Sequence, residues 1–150
     1  MAHSYTNLLY HIVFATKGRT EWLDAALRPD LWAHLGKRIS DEDGIALSTN
    51  GIADHGHILA KLPPDKGVSQ VLSNIKSRSS GWIHRRRPDL AAFAWQTGYG
   101  AFTLGPAQVP DVKHYIANQE EHHRREPYDQ ELRMMLRLAG LDADERFYWE

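Results

Sequence analysis

The sequence predicts an α+β domain with a ferredoxin-like split βαβ antiparallel sheet, helices on one face and an added C-terminal tyrosine-bearing helix. Segments of strand and helix periodicity follow one another as strand, helix, strand, strand, helix, strand, and only then further helices. Residues 1–150 supply one core rather than two independent ones. With 42% apolar and 25% charged residues the chain lies near the globular average, which argues against wholesale disorder.

Residues 5–16 are rich in aromatic and branched side chains and read as the first strand, closed by Lys17-Gly18-Arg19. Residues 21–40 place Trp22, Leu23, Ala26, Leu27, Leu31, Leu35 and Ile39 at helical spacing, with Pro29 marking a break or a new first turn. Asp43-Gly44 signals a turn, residues 45–52 a second strand, and residues 54–62 a third strand ended by Pro63-Pro64. Residues 67–86 form the second helix on the stripe Val68, Val71, Leu72, Ile75, Ser79 and Trp82. A short strand spans 98–104, and a third helix runs from Val109-Pro110-Asp111 to about 125, with Pro110 in its first turn. Pro127 stops it, and a further helix over about 128–139 ends at Gly140, before a tail with Phe147, Tyr148 and Trp149.

The chain has no cysteine, which removes disulfides, thiolate metal sites and a cysteine nucleophile. No signal peptide or membrane-spanning run is visible, so the protein is expected to be cytoplasmic. Net charge is -1 and the pI about 6.8, with no global preference for nucleic acid. Between positions 66 and 87, however, stand six cations (Lys66, Lys76, Arg78, Arg85, Arg86 and Arg87) and no acid. Acids gather at Asp41-Glu42-Asp43 and over 142–145. A one-sided basic helix is the footprint expected for a phosphate backbone, although a solvated helix face would read the same.

Chemistry enters on the third strand. Alternation puts Gly56, Ile58, Ala60 and Leu62 toward the core and His55, His57, Leu59 and Lys61 on the other face. Two imidazoles about 6.6 Å apart along a strand are close enough to grip one metal ion. Asp54 is adjacent and is expected to point away. On the third helix Tyr115 and Gln119 are four apart and share a face. His122 and His123 follow on the same helix as alternative ligands.

These segments resemble the small single-tyrosine HUH transposases of the simplest insertion sequences and their repeat-associated domesticated relatives. The resemblance rests on Ser4-Tyr5-Thr6-Asn7-Leu8-Leu9-Tyr10-His11-Ile12-Val13-Phe14, Asp54-His55-Gly56-His57-Ile58-Leu59, Lys76-Ser77-Arg78-Ser79-Ser80-Gly81-Trp82 and Trp95-Gln96-Thr97-Gly98-Tyr99-Gly100-Ala101-Phe102. Its most specific part is Tyr115-Ile116-Ala117-Asn118-Gln119-Glu120-Glu121-His122-His123-Arg124. Order and spacing agree over nearly the whole chain. Gly56 departs from the bulky apolar residue usual between the two histidines, a change that falls on the core side.

The resemblance implies His55, His57 and Gln119 as ligands of a divalent metal, Mg²⁺ or Mn²⁺, and Tyr115 as nucleophile. It implies cleavage of single-stranded DNA with hairpin ends through a 5′-phosphotyrosyl link, by a homodimer acting on bacterial or archaeal DNA. Lys76, Arg78, Arg85, Arg86 and Arg87 are the expected phosphate contacts, and Trp95, Tyr99 and Phe102 offer stacking surfaces, of which at least two are expected to pack inside. Three other readings fit the same residues: a domesticated enzyme that cuts repeated palindromes, a metal-dependent phosphodiester hydrolase in which water attacks, and a non-catalytic module for single-stranded nucleic acid.

Overall fold

The computed structural model describes residues 3–124 and 126–142; the aromatic tail at Phe147, Tyr148 and Trp149 lies outside them. Strands β1 (Leu8–Ala15), β2 (Ile45–Gly51), β3 (His55–Leu62) and β4 (Gly100–Thr103) form one antiparallel sheet in the order β2-β3-β1-β4. Helices α1 (Arg28–Asp41) and α2 (Val68–Arg86) supply the crossovers and cover one face, as the split pattern predicts.

Period-two alternation divides each strand between two environments. Ile12 and Phe14 of β1, with Ile58, Ala60 and Leu62 of β3, meet Leu31, Leu35 and Ile39 of α1 and Val71, Leu72 and Ile75 of α2 in one buried cluster. Each such aliphatic or phenyl side chain contributes about 1.5–3 kcal/mol when fully buried. Val13 and Ala15 face the other way, into a smaller cluster with Tyr128.

Two boundaries differ from the periodicity. β1 starts at Leu8, and Tyr5 stands in solvent. α1 starts only at Arg28, with Pro29 in its first turn. Leu23 and Leu27 are buried ahead of it in an irregular segment, held where the Leu23 amide donates to Ala53 O (3.0 Å) and the Leu27 amide to Asp24 Oδ1 (2.9 Å). Apolar residues at helical spacing can thus be buried by a loop that folds over the core.

The second sheet face, which the sequence leaves open for a site or partner, is covered by α3 (Val109–Ala117), α4 (Gln119–His123) and α5 (Tyr128–Leu138). The single helix expected over 109–125 is broken at Asn118, whose backbone (φ -104°, ψ 26°) leaves the helical region while its side-chain amide donates to His114 O at 2.8 Å. Asn50 of β2 donates to the Ile116 and Ala117 carbonyls at the break (2.9 and 3.3 Å), tying the tyrosine helix to the sheet. Among the described residues no helix is long and apolar enough to cross a membrane.

Gly56 has a local cause. Trp32 of α1 lies against the sheet at the Gly51–Gly56 pair, and a Cβ on Gly56 would come within 2.7 Å of Trp32 Cζ3. The indole takes the volume that a bulky residue would otherwise fill.

Candidate metal centre and nucleophile

β3 projects His55 and His57 from the same face, and both are fully buried beneath the C-terminal helices. Each ring is held on its Nδ1 side. His55 Nδ1 lies 2.8 Å from Asp54 Oδ1, and His57 Nδ1 lies 2.8 Å from His11 Nε2 of β1. Asp54, expected to point away, is instead in the turn before β3, freed from strand alternation, and also meets Arg19 at 3.4 Å. Partners on Nδ1 orient both imidazoles so that Nε2 faces inward.

Gln119, Glu131 and His123 lie on that inward side. Gln119 Oε1 is 3.3 Å from His55 Nε2 and 3.1 Å from His123 Nε2. Glu131 Oε1 is 2.8 Å from His57 Nε2, Oε2 is 3.6 Å from His55 Nε2, and Oε2 also contacts His123 Nε2. His55, His57, His123 and Glu131 offer one ligand atom each within 4.8 Å of one another. His57 Nε2 and Glu131 Oε2 are buried without a hydrogen bond of proper alignment among the described residues. Imidazole nitrogens, a carboxylate and an amide oxygen converging in this way could hold a divalent cation. His122 stands at the edge of the cluster, half-buried, with Nε2 3.1 Å from Glu126 and 3.9 Å from Glu131 Oε2, and its ring centroid is 5.2 Å from that of Tyr115.

The electrostatics fit that reading. Burial opposes charge on Glu131, yet the imidazoles of His123, His55 and His57 hold its carboxyl well below the usual range. Burial pulls His57 down to about 4, leaving it neutral and able to bind a metal near pH 7. His55 is pulled the same way by burial but pushed further up by Asp54 and Glu131.

The Tyr115 hydroxyl donates to Glu131, and its ring centroid is 5.7 Å from that of His57. Tyr115, His55, His57 and Gln119 are thus brought together within one chain. Burial and the Glu131 charge push the phenol above its usual value.

The predicted basic face has a different setting. α2 lies across the sheet from the histidines, and the arginines on it and at its end meet acids: Arg78 with Asp41 (3.1 Å), Arg86 with Asp30, and Arg87 with Asp24 (2.8 Å) and the neighbouring Asp89 (2.9 Å). Lys76 donates to Gln96 O and Gly98 O (2.7 and 2.5 Å), beside an open groove of about 530 Å³ that Ser69, Ser73, Ser77 and Tyr99 also line. No ion pair joins Arg85 to another described residue. Trp95 is core, edge-on to Phe14 and donating to Ser79 Oγ at 2.9 Å. Phe102 packs beside Val13, whereas Tyr99 is exposed.

Glu131 and His11 escaped the sequence reading. Glu131 stands among Tyr128, Leu132 and Met135, the apolar side of α5, and a carboxylate in an apolar stripe was the available signal. His11 shares a strand face with Leu9 and Val13, a polar ring in an apolar alternation.

Comparison with known proteins points to one family. Residues 4–119 match the profile of a family described as "Transposase IS200 like". The chain is 30% identical over 129 residues to the transposases for insertion sequence element IS200 of Salmonella typhimurium LT2 and Salmonella typhi, covering 83% of this chain and 84% of each relative. In fold it is similar to a candidate transposase from Deinococcus radiodurans R1 (TM-score 0.64, 20% identity, 79% of this chain and 96% of that one). It is also similar in fold to a REP-associated tyrosine transposase bound to a REP hairpin (TM-score 0.61, 15% identity, 82% and 73%).

Proposed function

The chain belongs to the IS200-like family of DNA transposases, and from that premise we propose that it cuts and rejoins single-stranded DNA at hairpin-marked ends through a bond between Tyr115 and a 5′-phosphate. The observation that carries this reading is the convergence of the half-buried Tyr115 with the buried His55, His57 and Gln119. A phosphodiester is a poor electrophile because its own charge repels nucleophiles. A divalent ion, Mg²⁺ or Mn²⁺, held by His55, His57 and Gln119 would withdraw charge from a non-bridging oxygen and orient the phosphorus.

The remaining steps belong to the chain. The Tyr115 oxygen attacks phosphorus in line and the bond to the 3′ oxygen breaks, giving a 5′-phosphotyrosyl bond and a free 3′-hydroxyl. Glu131 accepts the Tyr115 hydrogen bond and orients the phenol; the phenol proton leaves to solvent, and the departing 3′ oxygen takes one up from it. Because the phosphotyrosyl bond keeps the energy of the broken one, a second 3′-hydroxyl can attack it and restore a DNA strand without ATP.

The bound hairpin in one protein of the same fold supports a hairpin as the DNA partner. Lys76, Arg78, Arg85 and Arg86 on α2, Arg87 at its end and the exposed ring of Tyr99 would track the strand on the far face. Two copies acting together in the cytoplasm complete the proposal; exposed Leu138 and Leu141 suit burial between copies. The reading is tested with His57→Ala on labelled single-stranded DNA carrying a hairpin and cleavage site. Loss of cleavage with Mg²⁺ or Mn²⁺, at wild-type melting behaviour, is the expected result, and full cleavage by the variant would contradict the assignment.

A further inference from the structure

The family match ends at residue 119, yet the cluster continues beyond it into α4 and α5. We propose that Glu131 and His123 are protein ligands of the same metal, so that the centre is nitrogen-rich and takes Mn²⁺ or another first-row transition ion in preference to Mg²⁺. This rests on the metal reading of His55 and His57 given above.

The two oxygens of Glu131 have separate surroundings. Oε1 accepts from Tyr115 and lies 2.8 Å from His57 Nε2, whereas Oε2 lies toward His55, His123 and, at 3.9 Å, His122, and is buried without a well-aligned hydrogen bond among the described residues. Glu131 as a whole is 2% exposed. A carboxylate this deep costs several kcal/mol unless opposite charge or a metal offsets it. The imidazoles supply part of that offset, and a cation shared with them would supply the rest without displacing the Tyr115 hydrogen bond. His123 Nε2 reaches the same point from α4, within the same 4.8 Å.

With these residues the donors are three imidazole nitrogens, a carboxylate oxygen and the Gln119 amide oxygen. Mg²⁺ favours all-oxygen shells and keeps several waters, whereas imidazole donors favour later first-row ions. A centre holding only His55, His57 and Gln119 would leave more room for water and discriminate less.

Mn²⁺ binding, followed by loss of the free-ion electron paramagnetic resonance signal, tests this without cleavage. Wild type should bind one Mn²⁺ per chain, and Mg²⁺ should displace it only at more than about hundredfold excess. Glu131→Gln should bind Mn²⁺ at least about tenfold more weakly, and Tyr115→Phe should bind as wild type does. Wild-type affinity in Glu131→Gln would overturn the assignment. So would displacement of Mn²⁺ by equimolar Mg²⁺ from wild type, a result that needs no variant to fold. His57→Ala separates the two levels. If it loses Mn²⁺ while Glu131→Gln does not, only this inference falls; if it binds like wild type, the metal reading falls with it.

Discussion

The Tyr115 hydroxyl donates to Glu131, a contact between α3 and α5 that closes over the two histidines of β3. One carboxylate thereby touches Tyr115 and His57 through Oε1 and faces His55 and His123 through Oε2. The same residue holds the phenol in position and adds to the effect of burial on its protonation. Burial and this carboxylate keep the phenol protonated.

Gly56→Ala should destabilise the fold while leaving the chemistry of the folded protein intact. The new methyl would meet Trp32 at 2.7 Å, on the sheet face opposite the histidines. Overpacking of this kind costs about 1–3 kcal/mol. Denaturant melts of Gly56→Ala, Trp32→Leu and the double variant should give a smaller loss for the pair than the sum of the singles. Additive losses would remove the indole as the reason for the glycine.

Asn50→Ala removes the bonds that hold the helix break to β2. A net loss of about 0.5–1.5 kcal/mol is expected, with cleavage falling more than Mn²⁺ affinity, because His55 and His57 keep their own Nδ1 partners. Equal losses in both measurements would mean that the break does not position Tyr115 separately.

Much of the site was legible because strand alternation and the i, i+4 rule are local. That His55 shares a face with His57, and Tyr115 with Gln119, needed only that arithmetic, whereas their roles came from the family resemblance. The break at Asn118 does not undo the second pair, since Gln119 remains buried against His55. Glu131 and His11 come from elements distant in sequence, and only the three-dimensional arrangement brings them to the centre. Asp54 was placed on the wrong side because alternation was extended one residue past the start of β3. The arginines of α2 were read as an acid-free run, which holds along the sequence but not in space, where Asp24, Asp30 and Asp41 return to them.

That pairing sets an expectation for DNA binding. Arg85→Ala combined with Arg86→Ala should weaken binding of a hairpin-bearing single strand and reduce the salt slope of log K by about one to two units. Arg86 gives up Asp30 when it engages phosphate, so its share should be the smaller one in the single variants. Unchanged affinity and slope in the double variant would move the DNA surface away from α2.

His34 gives the fold a pH dependence away from the His55–His57 cluster. It stacks on Trp82 at 4.7 Å, its Nε2 lacks a partner among the described residues, and burial with Arg38 and Arg85 nearby lowers it to about 4. The unfolded chain takes up this proton near 6.5 and the folded chain only near 4. Its effect on stability is therefore absent above about pH 6.5 and grows as a destabilisation on acidification toward pH 4. Wild type should lose more melting temperature between pH 7 and pH 5 than His34→Gln. Parallel curves for the two would contradict the shift.

The central claim is that Tyr115 becomes covalently joined to DNA. Wild type and Tyr115→Phe are incubated with Mn²⁺ and single-stranded DNA that carries a hairpin and cleavage site, labelled on the 3′ side, and then denatured. Removing one hydroxyl leaves His55, His57 and Gln119 in place, so the Phe variant should still bind metal and hairpin. Wild type should give a denaturation-resistant protein–DNA band and a fragment with a free 3′-hydroxyl, and Tyr115→Phe neither. An adduct that persists in Tyr115→Phe, or cleavage by wild type with no adduct at all, would contradict the account, the second result in favour of attack by water.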